Sequence, residues 1–318
     1  MDWDAVKDVI RGPAALQMPP FNDDLSLNVA ELKKIIRRLY DAGFRRRRGF
    51  IICPSGTGEF MSLTLDEHVQ MVKAAVEATD GELPVVAGMA TARLHEAIEM
   101  AQALKNAGAT ALMVPPPFYY MLDEDSFFTW YQRLTSAVEI GVMIYDQTWR
   151  KLGTGVSLGM MERLATLPNL ISLKYGNWVT YTDLLVALQR FSRRFAFIDV
   201  SLALTATISH IHGAQGYIAG PATVWPEFEL HRWDLMEAGQ YVEAERFGAR
   251  LVPFMHRYLT GDEFGGDFVF HDGATFKAML EYVGLYGGPV RPPFRALNQK
   301  EKDDLFAMLD TIDFTVPS

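Results

Sequence analysis

Lys174 closes an apolar run, Leu170-Ile171-Ser172-Leu173, and is followed by Tyr175 and a Gly176-Asn177 turn signal. Residues 170–173 read as a buried strand, so the lysine stands where that strand leaves the core. Burial there disfavours the charged amine. A neutral amine is a nucleophile that can capture a carbonyl compound as a Schiff base. The plain alternative is a strand-end lysine whose ammonium snorkels to water. Tyr145 ends another apolar run, Gly141-Val142-Met143-Ile144. Its phenol could shuttle protons to a group formed on Lys174, or simply be buried with its hydroxyl satisfied. A third run leads into Ser55-Gly56-Thr57-Gly58-Glu59. Glycines there let backbone N–H groups approach a ligand at the start of a helical segment, which suits a carboxylate. An ordinary glycine turn has the same composition.

The elements that must hold these residues alternate along the chain. Apolar runs at 14–18, 50–53, 84–88, 111–114, 141–145, 170–174, 195–199 and 216–219 are separated by helical spacing, as in Val29, Leu32, Ile35, Ile36 and Leu39. Continuous apolar strands demand burial on both faces, as in a parallel sheet covered by helices. Eight such units predict an α/β fold, a (β/α)8 TIM barrel, over residues 1–226. The strand ends named above then converge on the face where such barrels carry their active sites. A dinucleotide-binding sheet would need a third glycine that Ser55-Gly56-Thr57-Gly58-Glu59-Phe60 lacks. After Glu227 the strands stop. Helical patterns over 241–258, 273–283 and 299–309 predict an all-helical C-terminal extension, residues 227–318, packed on the barrel.

Bulk properties narrow the function. The 318 residues, 49% hydrophobic, suffice for a large core. A net charge of −9 argues against a general nucleic-acid binder. One cysteine, Cys53, excludes a disulfide framework and a thiolate zinc site. His210 and His212 lack a third ligand, so no metal is expected. Met1-Asp2-Trp3-Asp4 has no signal-peptide pattern and no apolar run is long enough for a bilayer, so a soluble cytoplasmic enzyme is expected. Arg45-Arg46-Arg47-Arg48 precedes the second strand and reads as a solvated loop away from the chemistry.

Taken together, the Gly-x-Thr-Gly-Glu turn, the 119–145–174 spacing and the tail Lys277-Ala278-Met279-Leu280 through Gly287-Gly288-Pro289-Val290-Arg291-Pro292-Pro293 carry a resemblance. The chain resembles the dihydrodipicolinate synthase/N-acetylneuraminate lyase superfamily of class I aldolases. The resemblance implies that Lys174 forms the Schiff base with pyruvate or a related 2-keto acid and that Tyr145 relays protons. It implies that Gly56 and Thr57 hold the keto-acid carboxylate, with Thr57 hydrogen-bonded to Tyr145. Tyr119 would complete the relay of a neighbouring subunit, making the enzyme a homo-oligomer, a dimer or a tetramer of dimers. The Ile218 carbonyl would face the lysine. No cofactor is implied.

Departures from the family pattern bear on the substrate. Gly56 replaces the first of two hydroxyl residues usual in the turn, as in sugar-acid dehydratases. Asp146 replaces the usual asparagine and is either a second-substrate contact or a strand-end carboxylate. Arg150 stands where dihydrodipicolinate synthases bind the second substrate's carboxylate, or lies in a solvated loop. Asp199-Val200-Ser201 lacks an acidic pair, which points away from dihydrodipicolinate synthase activity itself. Phe118, Tyr120, Trp149, Tyr175, Trp178 and Trp225 are placed around the mouth, as pocket lining or subunit interface. The expected activity is aldol cleavage or condensation of pyruvate or a related 2-keto acid, with an aldehyde as the second partner. Dehydration of a 2-keto-3-deoxy sugar acid is the alternative, and a non-catalytic keto-acid-binding barrel is the alternative from another class.

Overall fold

Eight strands pair in the order of the chain and the last pairs with the first, closing a parallel barrel. In this computed structural model the described residues are 2–146, 155–176, 181–200, 205–260 and 272–317. The strands are β1 (Gly12–Leu16), β2 (Phe50–Ile52), β3 (Val85–Gly88), β4 (Ala111–Val114), β5 (Gly141–Tyr145), β6 (Leu170–Tyr175), β7 (Ala196–Asp199) and β8 (Gly216–Ile218). Between them run α2 (Val29–Ala42), α3 (Leu65–Ala78), α4 (Leu94–Asn106), α5 (Glu124–Ala137), α6 (Leu158–Leu164), α7 (Tyr181–Phe191) and α8 (Ala206–Ile211). The (β/α)8 barrel expected from the alternation is the fold observed.

Side chains divide by the period of two along each strand. Ala14, Leu16, Phe50, Ile52, Val86, Met113, Met143, Ile198 and Ile218 fill the interior. Ala15, Ile51, Val85, Leu112, Ile144, Leu173 and Tyr217 face outward, against the helices. The helices begin and end on local chemistry. The Asn28 side chain accepts the Glu31 N–H, and Gly43 ends α2 at φ +112. Thr64 and Glu67 form a reciprocal capping box on α3.

Two boundaries differ from the sequence reading. Helix α9 (Pro226–Glu237) is the barrel's eighth outer helix, and the Tyr217 hydroxyl of β8 donates to its Glu229 carboxylate at 2.8 Å. Barrel packing therefore continues past residue 226. Helix α1 (Trp3–Val9) lies under the barrel, where Lys7 donates to the Arg193 carbonyl at 3.0 Å. Seven residues show too few turns for its apolar face to stand out by periodicity.

The extension comprises α10 (Tyr241–Gly248), α11 (Val252–Thr260), α12 (Asp272–Tyr282) and α13 (Gln299–Leu309). The single helix expected over 241–258 is broken by a short 3-10 turn at 249–251. Pro253, in the first turn of α11, lacks the N–H that a continuous helix would need. At the opposite end of the barrel from the site, Arg48 pairs with Asp234 at 2.7 Å, Arg47 pairs with Asp8, and Arg45 lies on the Tyr40 ring. The basic run is thus occupied locally. No helix among the described residues is long and apolar enough to cross a membrane.

Candidate active site

The inward aim of Lys174 depends on an irregularity in the sheet. Val142 pairs with Leu170, but Met143 pairs with Ser172, so β6 carries one extra residue at Ile171. Leu170 and Leu173 both face outward, which strict alternation forbids. Past the extra residue, Ser172 and Lys174 sit opposite the inward-facing Met143 and Tyr145. Without it, Lys174 would share the outward face of Leu170. Bulges commonly re-aim a side chain in this way. Lys174 is 5% exposed and Tyr145 4%. The Lys174 Nζ lies 3.7 Å from the centre of the Tyr145 ring.

The strand-two turn sits beside the first residues of α12. Gly58 is held close, because a Cβ there would stand 2.0 Å from the Gln17 carbonyl oxygen. Its N–H donates to Ser55 Oγ at 2.9 Å. Gly56 is open by contrast, since a Cβ there would meet Phe60 at 3.8 Å and Tyr145 Cε1 at 3.9 Å. The Thr57 hydroxyl donates to Asp272 Oδ2 at 3.0 Å. A threonine has a single proton to give, so in the hydrogen bond with Tyr145 that the resemblance implies the Thr57 oxygen would be the acceptor. Glu59 adopts φ +53 and is anchored from the tail. Lys277 Nζ contacts Glu59 Oε1 at 2.6 Å, and the Arg291 N–H donates to Glu59 Oε2 at 2.9 Å. Burial holds the Lys277 amine below its usual value, with Glu59 opposing that shift.

The other expected site residues are placed as follows. Ile218 lies on the inward face of β8, among the interior residues. Tyr119 follows β4 and is 78% exposed, edge-on to Tyr120. Asp146, read from the sequence as either a second-substrate contact or a strand-end carboxylate, stands at the end of β5. It is buried and turned outward, accepting the Val156 N–H at 3.2 Å. Its charge adds to burial in raising the Tyr131 and Tyr175 phenols, both on the outer side of the sheet. Tyr175 is likewise not at the mouth, for it packs edge-on to Phe197 behind the strand. Trp225 is stacked on Phe314 at 3.8 Å, covered by the tail. Phe118 lines a cleft of about 540 Å³ with Phe60, Met61, His68 and Arg93. Arg150, Trp149 and Trp178 lie outside the described residues.

Asp272, Lys277 and the Glu59 anchor did not emerge from the sequence as site residues. The one available signal was a charged residue inside an otherwise apolar helical run, Ala274-Thr275-Phe276-Lys277-Ala278-Met279-Leu280. A lysine there requires a partner, because burying an unpaired charge is too costly.

Known proteins resemble this chain over nearly its whole length. It is 26% identical over 297 residues to a 4-hydroxy-tetrahydrodipicolinate synthase of Methanoculleus marisnigri, covering 93% of this chain and 96% of that one. It is 29% identical over 275 residues to 4-hydroxy-tetrahydrodipicolinate synthase 1 of Streptomyces coelicolor, covering 85% of each. The fold matches that of the Acinetobacter baumannii dihydrodipicolinate synthase complexed with pyruvate, with a TM-score of 0.84 at 22% identity over 95% of this chain and 98% of that one. The dihydrodipicolinate synthetase family model matches residues 10–312. The chain therefore belongs to the dihydrodipicolinate synthetase family, as a lyase of the class I aldolase type.

Proposed function

We propose that the protein is a Schiff-base-forming lyase acting on pyruvate or a related 2-keto acid, by aldol cleavage or condensation with an aldehyde. The observation that carries this reading is the buried Lys174 amine, 3.7 Å from the Tyr145 ring centre inside the barrel. The Acinetobacter baumannii relative, solved with pyruvate, supports the choice of keto acid.

The steps follow from these groups. The free-base amine of Lys174 adds to the keto carbon, and Tyr145 carries the amine proton to the new hydroxyl. That hydroxyl takes a further proton, delivered from solvent through Tyr145, and leaves as water, giving a protonated imine. The imine draws electrons from the adjacent carbon, so a proton is lost there to form an enamine, or a carbon–carbon bond breaks to release an aldehyde. In the condensing direction the enamine carbon attacks the aldehyde, whose oxygen takes a proton through Tyr145. Addition of water to the imine then frees the lysine. The turn at Gly56 and Thr57 holds the carboxylate through its backbone N–H groups. Tyr119, projecting outward after β4, serves the site of a second copy in a homo-oligomer.

Gly56 favours a second reading, dehydration of a 2-keto-3-deoxy sugar acid. The space beside Tyr145 Cε1 that a larger residue would occupy stays open to a hydroxylated substrate. Release of pyruvate with an aldehyde supports the first reading, and water loss with the carbon chain intact supports the second. Treating the protein with pyruvate and borohydride, then mapping the product by mass spectrometry, tests both. A reduced adduct on Lys174 is expected, and bound pyruvate with Lys174 unmodified would overturn the Schiff-base chemistry.

A further inference from the structure

Resting on the 2-keto-acid reading, we propose that Asp272 is a positioning residue of the carboxylate turn and acts through Thr57. The single proton of the Thr57 hydroxyl goes to Asp272 Oδ2 at 3.0 Å. The Thr57 hydroxyl, so oriented, presents only lone pairs, while its backbone N–H remains a donor. While that bond holds, the hydroxyl has no proton for a substrate carboxylate, which itself has none to donate. The carboxylate is held by the N–H groups of Gly56 and Thr57, and the hydroxyl fixes the turn that presents them.

The same helix touches the turn at two further points. Gly273 lies against the Thr57 carbonyl, where a Cβ would stand 3.0 Å from the oxygen. Lys277 anchors Glu59, whose left-handed backbone is unfavourable for a side-chain-bearing residue unless its surroundings hold it. Thr57 is only half-buried and its hydroxyl has no other partner among the described residues, so Asp272 is what selects its rotamer. Asp272 itself is buried and stands at the start of α12, 215 residues further along the chain. It is thus the tail, rather than the barrel alone, that presets the shape of the keto-acid site. Preorganisation of this kind acts on binding more than on the chemical step.

The test is a double-mutant cycle on pyruvate affinity in the Lys174→Ala background, where no covalent adduct forms. Kd is read by calorimetry, beside KM and kcat in enzyme that retains Lys174. Asp272→Ala and Thr57→Val are each expected to weaken binding about tenfold, with the double variant no weaker than the worse single one. In the lysine-containing enzyme KM follows Kd while kcat stays within about threefold. Asp272→Asn keeps an acceptor oxygen and is expected to hold Kd within about twofold of its parent. Melting curves check the fold, with Asp272→Leu standing in if the alanine variant is unfolded. Multiplicative losses in the double variant, parental affinity in Asp272→Ala, an Asp272→Asn protein as weak as the alanine variant, or no pyruvate binding in the parent would each overturn the proposal. Pyruvate that binds yet leaves Lys174 untouched by borohydride counts against the Schiff-base reading alone, and the cycle still decides the role of Asp272.

Discussion

The Lys174 amine lies over the face of the Tyr145 ring, 3.7 Å from its centre, and the two residues are direct partners across β5 and β6. Ring and hydroxyl can be separated experimentally. Tyr145→Phe keeps the ring beside the lysine and removes the proton carrier. It is expected to lower kcat by about 10²–10⁴-fold with little change in melting temperature. Lys174→Met is expected to abolish turnover. Steady-state kinetics beside melting curves check both, and native kcat in Tyr145→Phe would remove the phenol from the chemistry.

The two glycines of the turn should respond oppositely to alanine. At Gly58 the new methyl would collide with the Gln17 carbonyl at 2.0 Å, and backbone cannot swing aside as a side chain can. Gly58→Ala is expected to lose about 1–3 kcal/mol of stability and most pyruvate binding. At Gly56 the nearest atom is 3.8 Å away, so Gly56→Ala should lie within about 0.5 kcal/mol of the parent. Denaturant midpoints for the pair would show it, and equal losses would contradict this account of the turn.

Lys277 and Glu59 are each 2% exposed as side chains. Lys277→Met leaves the Glu59 carboxylate buried without its cation, a change expected to cost about 3–5 kcal/mol. Pairing it with Glu59→Gln should recover part of that loss. Urea unfolding of both variants measures the difference, and a double variant less stable than Lys277→Met would contradict the pairing.

Glu67 ties the tail to α3. Hydrogen bonds from Arg291 lead in lowering its carboxyl to about 2 from 4.5, against burial and with help from the Thr64 N–H. Its folded value is depressed, so its contribution is present above about pH 4.5 and lost as pH falls toward 2. The stability gap between the native chain and Glu67→Gln should therefore be widest near pH 6 and narrow toward pH 2. Unfolding midpoints across that range check it, and a gap independent of pH would refute the ionic account.

Tyr119 is 78% exposed and Met121 80%, beside Tyr120 at 60%. Such a cluster of large exposed side chains fits a subunit contact. Tyr119→Ala is expected to leave the melting of the isolated subunit unchanged while reducing kcat and weakening self-association. Sedimentation at several concentrations, beside kinetics, would detect it. Unchanged activity and assembly would leave Tyr119 without the proposed role.

Lys174, Tyr145 and the glycine turn were legible because each ends an apolar run, and a run buried on both faces needs no tertiary knowledge to read as a strand. The barrel was legible for the same reason, since eight such runs alternating with helices have few ways to bury themselves. Asp146 was ambiguous in the sequence because its outward turn toward Val156 depends on which face follows Tyr145. The α12 contacts were hidden more deeply, because Thr57 and Asp272 lie 215 residues apart and no local pattern encodes which distant helix will cover a turn.

By itself, the sequence determined the fold class and the strand end that carries the amine, both being matters of local periodicity and apolar burial. Tertiary structure alone decided that the amine faces inward. With a side-chain period of two, one extra residue at Ile171 reverses every later side chain, and only pairing against β5 reveals that residue. It also decided that the acid completing the turn comes from a helix in the tail, because a charge pair or hydrogen bond forms where folding brings its partners together.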